Sequence, residues 1–163
     1  MTERPKHIRL AGPQDEDKIM ELMRAAFVEQ PIFPLDEAKM REMIRGCSTR
    51  KGGFIALAEN SEGKIEGYLI AVLSQYWYSS QWHMEELSNF VHPDARKGTH
   101  HARDLIEFAK WFAETMKVPL LMGIFSTQRL EAKIRLYQRQ AKMAGAVFVH
   151  NTGHVDGLLS EMG

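Results

Sequence analysis

The sequence predicts an α/β fold in which one mixed sheet is covered by helices on both faces. Strand-like and helix-like segments alternate along the chain, and one strand is apolar on both of its alternating sets of residues. No linker or internal repeat divides the chain of 163 residues, which is long enough to build a core of its own. We therefore expect a single domain that spans residues 1–163.

The first third of the chain predicts a short strand and two helices. Residues 7–11 form the strand, and residues 12–30 place apolar side chains at helical spacing behind an acidic first turn. Two prolines within residues 30–35 end that helix, and Asp36 is a suitable N-cap for the second.

The middle of the chain predicts three consecutive strands after a glycine pair. The strands cover residues 54–59, 65–77 and 84–91, and the first two are joined by a hairpin turn at residues 60–64. The long strand 65–77 is apolar on both faces, so we expect it to be central in the sheet.

The last third predicts a strongly amphipathic helix, then strand 118–125, helix 128–145 and strand 146–151. The tail 155–162 is a candidate for one more strand. The full order gives a sheet of six to seven strands with four helices. Residues 84–125 form a strand–helix–strand unit, which is expected to be a right-handed parallel crossover.

Composition excludes several classes of function. Lys+Arg and Asp+Glu both number 21, which is unlike a polycationic nucleic-acid binder. The single cysteine, Cys47, rules out an intrachain disulfide and a cysteine-cluster metal site. The N-terminus lacks the apolar core of a signal peptide, and no run approaches the ~20 apolar residues of a membrane span. We expect a cytoplasmic protein without a membrane partner.

The stretch "PDARKGTHHARDL" (93–105) connects the predicted strand 84–91 to the helix that follows it. Free N–H groups at a helix start bind anions, and Gly98 allows close approach of an anion to the backbone. Arg96 and Lys97 add positive charge, and Thr99 offers a hydroxyl donor or an N-cap. The residues by themselves support two readings equally: a phosphate cradle, or a surface helix capped by Thr99.

Two further readings of the basic residues are disfavoured. His100 and His101 are adjacent and point about 100° apart on a helix, so they cannot share one metal ion. The cations of helix 128–145 suggest nucleic acid, but Glu131 interrupts them, and a solvated helix face explains them better.

The segment "NFVHPDARKGTHHARDLIEFA" resembles the acyl-CoA-binding segment of the GNAT acyltransferase superfamily, with the pattern Q/R-x-x-G-x-G/A. Lys97 then takes the Arg or Gln position, His100 the first glycine position and Ala102 the last position. The segment "EAKIRLYQRQAKMAGAVFVHN" is similar to the family's N-x-x-A-x-x-x-Y-x-x-x-G-F region. Tyr137 occupies its tyrosine position, whereas its Asn and Ala are not matched.

This resemblance implies a mostly antiparallel sheet that splays between the fourth and fifth strands. It also implies transfer of an acetyl group from acetyl-CoA to an amine of a small molecule or protein in a ternary complex, with no metal. The pantetheine arm would pair with the fourth strand and the pyrophosphate would lie on the N–H groups of residues 98–102. The cofactor-binding residues would be Asn89, Phe90, Val91, Arg96, Lys97, Gly98, Thr99, His100, His101 and Ala102.

A base near the fourth strand is needed because the attacking amine must lose a proton. With regular strand alternation, Glu85 shares a face with Asn89 and Val91, so Glu85 is predicted to be the base rather than Glu86. The resemblance assigns Tyr137 the protonation of the departing thiolate. The alternatives are that the glutamates are exposed strand residues and that the Tyr137 ring is part of the core.

Acceptor recognition is predicted in two aromatic segments, residues 30–35 and residues 76–83. Their aromatic residues are Phe33, Tyr76, Trp77, Tyr78 and Trp82. These residues could equally pack a homodimer interface or the core. A non-catalytic module that binds CoA or a partner in the same groove is the alternative function. The acceptor and the acyl chain length are not encoded in any motif.

Overall fold

Five strands form one mixed sheet in the computed structural model, which describes residues 1–29, 33–126 and 128–149. The strands are β1 (Ile8–Leu10), β2 (Gly53–Glu59), β3 (Ile65–Gln75), β4 (Trp82–Val91) and β5 (Leu120–Leu121). The helices are α1 (Glu16–Glu29), α2 (Glu37–Ser48), α3 (His101–Met116) and α4 (Leu130–Gln138). The strand order is β1-β2-β3-β4-β5, with antiparallel neighbours except for the parallel pair β4–β5. This arrangement confirms the predicted mixed fold and the parallel β4–α3–β5 unit.

The described sheet has five strands where six to seven were predicted. Residues 146–149 carry no strand, while the rest of that predicted strand and the tail 155–162 lie outside the described residues. Strand 118–125 is reduced to β5, because the chain leaves β4 after Leu121 and then lacks a ladder partner in the described part. The predicted helix 128–145 ends early, where the N–H groups of Gln140 and Ala141 both donate to the Tyr137 carbonyl.

The two faces of the sheet bury separate apolar clusters. Helices α1 and α2 cover the face that carries Tyr68 and Ile70, and α3 covers the face that carries Leu69 and Ala71. Strand β3 is therefore buried on both sides, as its sequence predicts. Each fully buried Leu or Ile contributes about 1.5–3 kcal/mol relative to exposure. In the part of the chain that the structure describes, no helix has the length and apolar character needed to cross a membrane.

The start of α2 follows directly from its sequence. The Asp36 carboxylate accepts a hydrogen bond from the Lys39 N–H at 3.0 Å, which confirms Asp36 as the N-cap. Helices α1 and α2 both pack on one face of the sheet.

Strands β4 and β5 separate soon after they meet. They pair only at Met84–Leu120 and Glu85–Leu121, so residues 86–91 have no strand beside them on that side among the described residues. The predicted splay between the fourth and fifth strands is thereby confirmed. It leaves a polar strand edge open beside the start of α3.

One extra residue interrupts the alternation of β4. Ser88 lies opposite Ile70 and Glu86 lies opposite Ala71, which leaves Leu87 without a partner on β3. Such a β-bulge inserts one residue and shifts every side chain beyond it to the other face. The bulge sits where β4 leaves β5, so it acts on the residues that line the open edge.

The bulge corrects the predicted faces of the two glutamates. Glu86 and Asn89 now lie on the α3 face, because their cross-strand partners Ala71 and Leu69 both lie there. Glu85 lies opposite Val72 on the α1–α2 face. The prediction that Glu85 shares a face with Asn89 and Val91 is wrong, because it assumed an unbroken period of two.

Candidate functional site

A cavity of about 260 Å³ opens where β4 and β5 separate. Its wall is formed by residues 86–91 of β4, residues 99–103 at the start of α3, residues 123–125 after β5, and one side of α4. Glu86 is the one acidic side chain in this wall, counted over the described ranges. The cationic side chains in the wall are Arg96, Arg103, Arg129 and Lys133. The cavity is therefore suited to an anionic ligand that meets a single carboxyl group.

A hydrogen-bonded acid pair lies in this wall. The Tyr137 hydroxyl of α4 donates to Oε1 of Glu86 at 2.5 Å. Glu86 is only 6% exposed, and its burial raises the pKa of the carboxyl to about 7, against the lowering effect of the Tyr137 hydrogen bond. Burial and the nearby Glu86 charge raise the pKa of Tyr137 well above its usual value. Glu86 is thus able to exchange a proton near neutral pH.

Asn89 adjoins this pair on the same face of β4. Its Nδ2 donates to the Ala102 carbonyl in the first turn of α3 at 3.3 Å. Two buried oxygens lie here, Oδ1 of Asn89 and Oε2 of Glu86. Neither accepts a hydrogen bond from any donor within the described residues. Since buried acceptors are nearly always satisfied, these two oxygens favour a ligand that brings N–H or O–H groups into the cavity.

The loop before α3 presents a row of unpaired backbone N–H groups. Gly98 has φ +80°, the left-handed conformation that glycine tolerates best. The N–H groups of residues 97–103 donate to no group in the described residues, and the first satisfied one belongs to Asp104, which donates to the His100 carbonyl at 2.9 Å. These free donors and the dipole of α3 form a site for phosphate groups.

Some side chains of this loop make contacts that differ from their predicted roles. Thr99 is not the N-cap, since His100 occupies that position, without a side-chain hydrogen bond, and the Thr99 hydroxyl donates to the Ala95 carbonyl at 2.5 Å. The His101 ring turns inward, with Nε2 at 2.9 Å from a Glu66 carboxyl oxygen. In the described part of the chain, no three His, Cys, Asp or Glu side chains are grouped to hold a metal ion.

Arg96 is fixed in the wall by three contacts. Its Nε donates to the Val91 carbonyl at 2.8 Å, and its guanidinium lies 5.4 Å from the centre of the Phe90 ring. Its Nη2 donates to Oε1 of Glu29 at 2.6 Å. Two of its nitrogens are therefore engaged within the protein, so Arg96 supports the cavity wall as well as carrying charge.

Glu29 connects this arginine to α4. Its second carboxylate oxygen lies 3.3 Å from Nζ of Lys133, which also donates to the Ser126 hydroxyl at 2.6 Å. Glu29 is 4% exposed, and the burial of Lys133 lowers its pKa, while Glu29 acts in the opposite direction. Sequence reasoning missed this network, because Glu29 and Lys133 are 104 positions apart and no local pattern links them.

Most of the residues predicted to bind the cofactor are brought together in the cavity wall. The wall contains Asn89, Phe90, Val91, Arg96, Thr99, His100, His101 and Ala102, together with Tyr137. Lys97 and Gly98 lie in the exposed loop beside it. Glu85 does not line the cavity; its side chain is 47% exposed and lies 3.8 Å from the His83 ring.

The aromatic residues predicted for the acceptor lie away from this cavity. None of them lines it, and all are exposed: Phe33, Tyr76, Trp77, Tyr78 and Trp82. The Tyr78 ring meets the Tyr76 ring at 5.0 Å and the Trp77 ring at 5.2 Å, which forms an aromatic cluster in the β3–β4 connection. Gln30, Pro31 and Ile32 of the first predicted acceptor segment lie outside the described residues.

Comparisons with known proteins connect this architecture to acetyltransferases. No protein-family model matches the chain, and no curated protein matches it. Solved structures do. An integron cassette protein from the mobile metagenome of Cole Harbour Salt Marsh has a TM-score of 0.70 and 18% identity, covering 89% of each chain. A ribosomal-protein-alanine N-acetyltransferase from Brucella melitensis has a TM-score of 0.66 and 17% identity, covering 88% of this chain and 96% of that one.

A structure described as a GNAT family acetyltransferase, from Staphylococcus aureus, has a TM-score of 0.61 and 13% identity, and covers 88% of this chain and 96% of its own. An aminoglycoside 6'-N-acetyltransferase from Acinetobacter haemolyticus has a TM-score of 0.67 and 15% identity, and the match covers 88% of this chain and 96% of that one. Identities this low bear on the fold, and the likeness extends over nearly the whole chain. This chain therefore has the fold of the GNAT acetyltransferases.

Proposed function

We propose that this protein is a member of the GNAT superfamily and moves an acetyl group from acetyl-CoA to an amine by direct attack in a ternary complex. The observation that carries the proposal is the buried Glu86–Tyr137 pair, in the cleft where β4 leaves β5 and beside a row of free N–H groups. A single buried cysteine, Cys47, suits a reducing compartment, and we place the activity in the cytoplasm.

The donor would bind along the open edge of β4 and the start of α3. The N–H of His92 donates to β3, so the backbone groups of Asn89 and Val91 point away from β3, toward the cleft. The N–H and carbonyl of Asn89 and the N–H of Val91 would pair with the pantetheine arm, while the Val91 carbonyl accepts from Arg96. The N–H groups of residues 98–102 would hold the pyrophosphate, with Lys97 and Arg103 adding positive charge.

The base in this proposal is Glu86 instead of Glu85. Glu86 lies in the cavity, its Oε2 is unpaired within the described residues, and its pKa of about 7 suits proton removal near neutral pH. A backbone N–H of β4 would polarise the thioester carbonyl as the amine attacks. Tyr137 would donate its proton to the sulfur of the departing CoA.

The acceptor in this proposal is an amine. Two structural neighbours are described as aminoglycoside and ribosomal-protein-alanine N-acetyltransferases, which supports an amine acceptor and gives two probes. The exposed aromatic cluster of Tyr76, Trp77 and Tyr78 would contribute to acceptor binding from outside the cavity.

Thermal denaturation with and without cofactor tests the proposal. Acetyl-CoA and CoA are each expected to stabilise the protein, by about 2.7 kcal/mol at 100 times the dissociation constant. Free-thiol release from acetyl-CoA should then appear with a member of an amine panel that includes an aminoglycoside and a peptide with N-terminal alanine. The absence of any thermal shift at millimolar cofactor would reject a CoA site. A shift without thiol release for any amine would favour the non-catalytic CoA-binding module.

Replacing Gly98 with Glu is expected to weaken CoA binding at least tenfold, because a carboxylate would meet the phosphates and the left-handed backbone would be strained. Gly63→Glu is a matched control. Gly63 has φ +79°, and at both glycines an added Cβ meets nothing within 4 Å, but Gly63 lies in the β2–β3 turn. Isothermal titration of CoA into both variants separates the effect of a carboxylate near the phosphates from the effect of strain at a left-handed glycine. Equal affinities would show that the phosphates lie elsewhere.

A further inference from the structure

We propose that Glu86 and Tyr137 act as one proton-carrying pair that delivers the proton lost by the acceptor amine to the sulfur of departing CoA. The inference rests on the proposed function and adds a property of its site. A base and an acid that work independently would each exchange protons with solvent after every turnover. A pair joined by a direct hydrogen bond can return to its starting protonation states by passing a proton from one member to the other.

Both side chains line the cavity, and the two oxygens of the Glu86 carboxyl group have different surroundings. Oε1 of Glu86 accepts the Tyr137 hydroxyl at 2.5 Å, with no group between them. Oε2 is buried and has no donor within the described residues, so it is the oxygen left for the incoming amine. One carboxyl group therefore has one oxygen for the substrate and one for the tyrosine.

The steps balance in atoms and charge. The amine nitrogen forms a bond to the acetyl carbon and gives a proton to Oε2 of Glu86. The bond from that carbon to sulfur breaks, and Tyr137 gives its hydroxyl proton to the thiolate. A half-turn of the carboxyl group about its terminal torsion, which is soft in Glu, then brings the proton from Oε2 to the Tyr137 phenolate. The products are the amide and CoA thiol, and both side chains return to their starting states.

The surroundings favour the last transfer. Burial raises the pKa of Glu86 to about 7 and that of Tyr137 far above it, so a carboxyl proton moves downhill to a phenolate. The neighbouring Asn89 side chain lowers the pKa of Tyr137, against the larger effect of burial, and so favours the phenolate. Asn89 is held in turn by the Ala102 carbonyl, so the pair is positioned from both β4 and α3.

A double-mutant cycle tests the relay. We expect Glu86→Gln, Tyr137→Phe and the double variant to lose kcat to similar extents, within about threefold of one another, because each breaks the same unit. If the loss of kcat in the double variant equals the product of the two single losses, Glu86 and Tyr137 act independently and the relay is overturned. Full activity of Tyr137→Phe would overturn it as well. If the unaltered protein binds CoA but cleaves no thioester with any amine, the proposed function fails and the relay fails with it.

Two further measurements separate catalysis from folding. All variants should bind CoA with affinities within about threefold of the unaltered protein. Tyr68→Phe removes the hydroxyl of another buried tyrosine, which bonds Ser88 at 3.1 Å, and is expected to keep kcat within about threefold. The residual activity of Tyr137→Phe should need a higher pH, since its hydrogen bond lowers the pKa of Glu86. An unshifted pH profile in that variant would contradict the pairing.

Discussion

Glu86→Gln is expected to lower kcat at least 100-fold while leaving acetyl-CoA binding within about threefold of the unaltered value. General-base catalysis contributes about 10²–10⁴-fold, and an amide cannot remove a proton from the amine. The amide oxygen can still accept the Tyr137 hydrogen bond that Glu86 accepts at 2.5 Å, so the wall of the cavity should keep its shape. Thiol release measured at saturating acetyl-CoA and acceptor gives kcat directly.

Glu85→Gln is the matched control for this change. It makes the same substitution at the neighbouring residue, whose half-exposed side chain lies on the other face of β4. We expect kcat to stay within about threefold. If Glu85→Gln abolishes thiol release and Glu86→Gln does not, the base is Glu85, and the bulge at Leu87 has no bearing on the chemistry.

The pH dependence gives a second signature of Glu86. Its carboxyl must be ionised to act as the base, so kcat/KM should rise with pH through about 7 and then level off. An ordinary glutamate, with a pKa near 4.5, would give no change in this range. The rise should disappear in the residual activity of Glu86→Gln. A flat profile in the unaltered protein between pH ~6 and pH ~8 would contradict the assignment.

As the pH rises through about 7, the contribution of Glu86 to stability should fall while the activity rises. The folded protein holds the Glu86 proton more tightly than the unfolded chain, so the stabilising effect of the protonated group is present below about 4.5 and is lost as pH rises through about 7. Glu86→Gln removes the buried charge and is expected to be more stable than the unaltered protein above pH ~7. An inactive but stabilised variant cannot owe its inactivity to misfolding.

Much of the fold could be predicted because its signals are local. Helical spacing in α1 and α3, the Asp36 cap and the doubly apolar β3 each depend on neighbouring residues. Motif resemblance located the cavity wall at Asn89–Val91 and Tyr137. Strand β5 is shorter than the predicted strand 118–125, because pairing beyond Leu121 depends on how the chain leaves β4, which no local pattern encodes.

The predicted face of Glu85 was wrong for a different reason. Period-two alternation is a rule about unbroken strands, and Leu87 is an unmarked bulge residue: neither a glycine nor a proline signals it. The bulge reverses the faces of Glu85 and Glu86 relative to Asn89. The Glu29 network was also unpredictable, since its members come from α1, the β4–α3 loop and α4.

Glu29→Gln is expected to lower the free energy of unfolding by about 3 kcal/mol, because breaking one partner out of a buried ion pair leaves uncompensated charge. Glu29 is nearly inaccessible, and its two oxygens bind Arg96 at 2.6 Å and Lys133 at 3.3 Å. Urea denaturation monitored by tryptophan fluorescence measures the loss. Glu21→Gln is the control, since Glu21 pairs with Lys18 on the surface of α1 and such pairs contribute less than about 1 kcal/mol.

A second substitution identifies the cause of that loss. Lys133→Met removes one of the two cations that lose the Glu29 carboxylate and keeps much of the apolar side chain, so Glu29→Gln combined with Lys133→Met should regain part of the lost stability. Arg96 would still retain its hydrogen bond to the Val91 carbonyl and its contact with the Phe90 ring. If the double variant loses the sum of the two single losses, Glu29 stabilises the fold by packing and not by compensating buried charge.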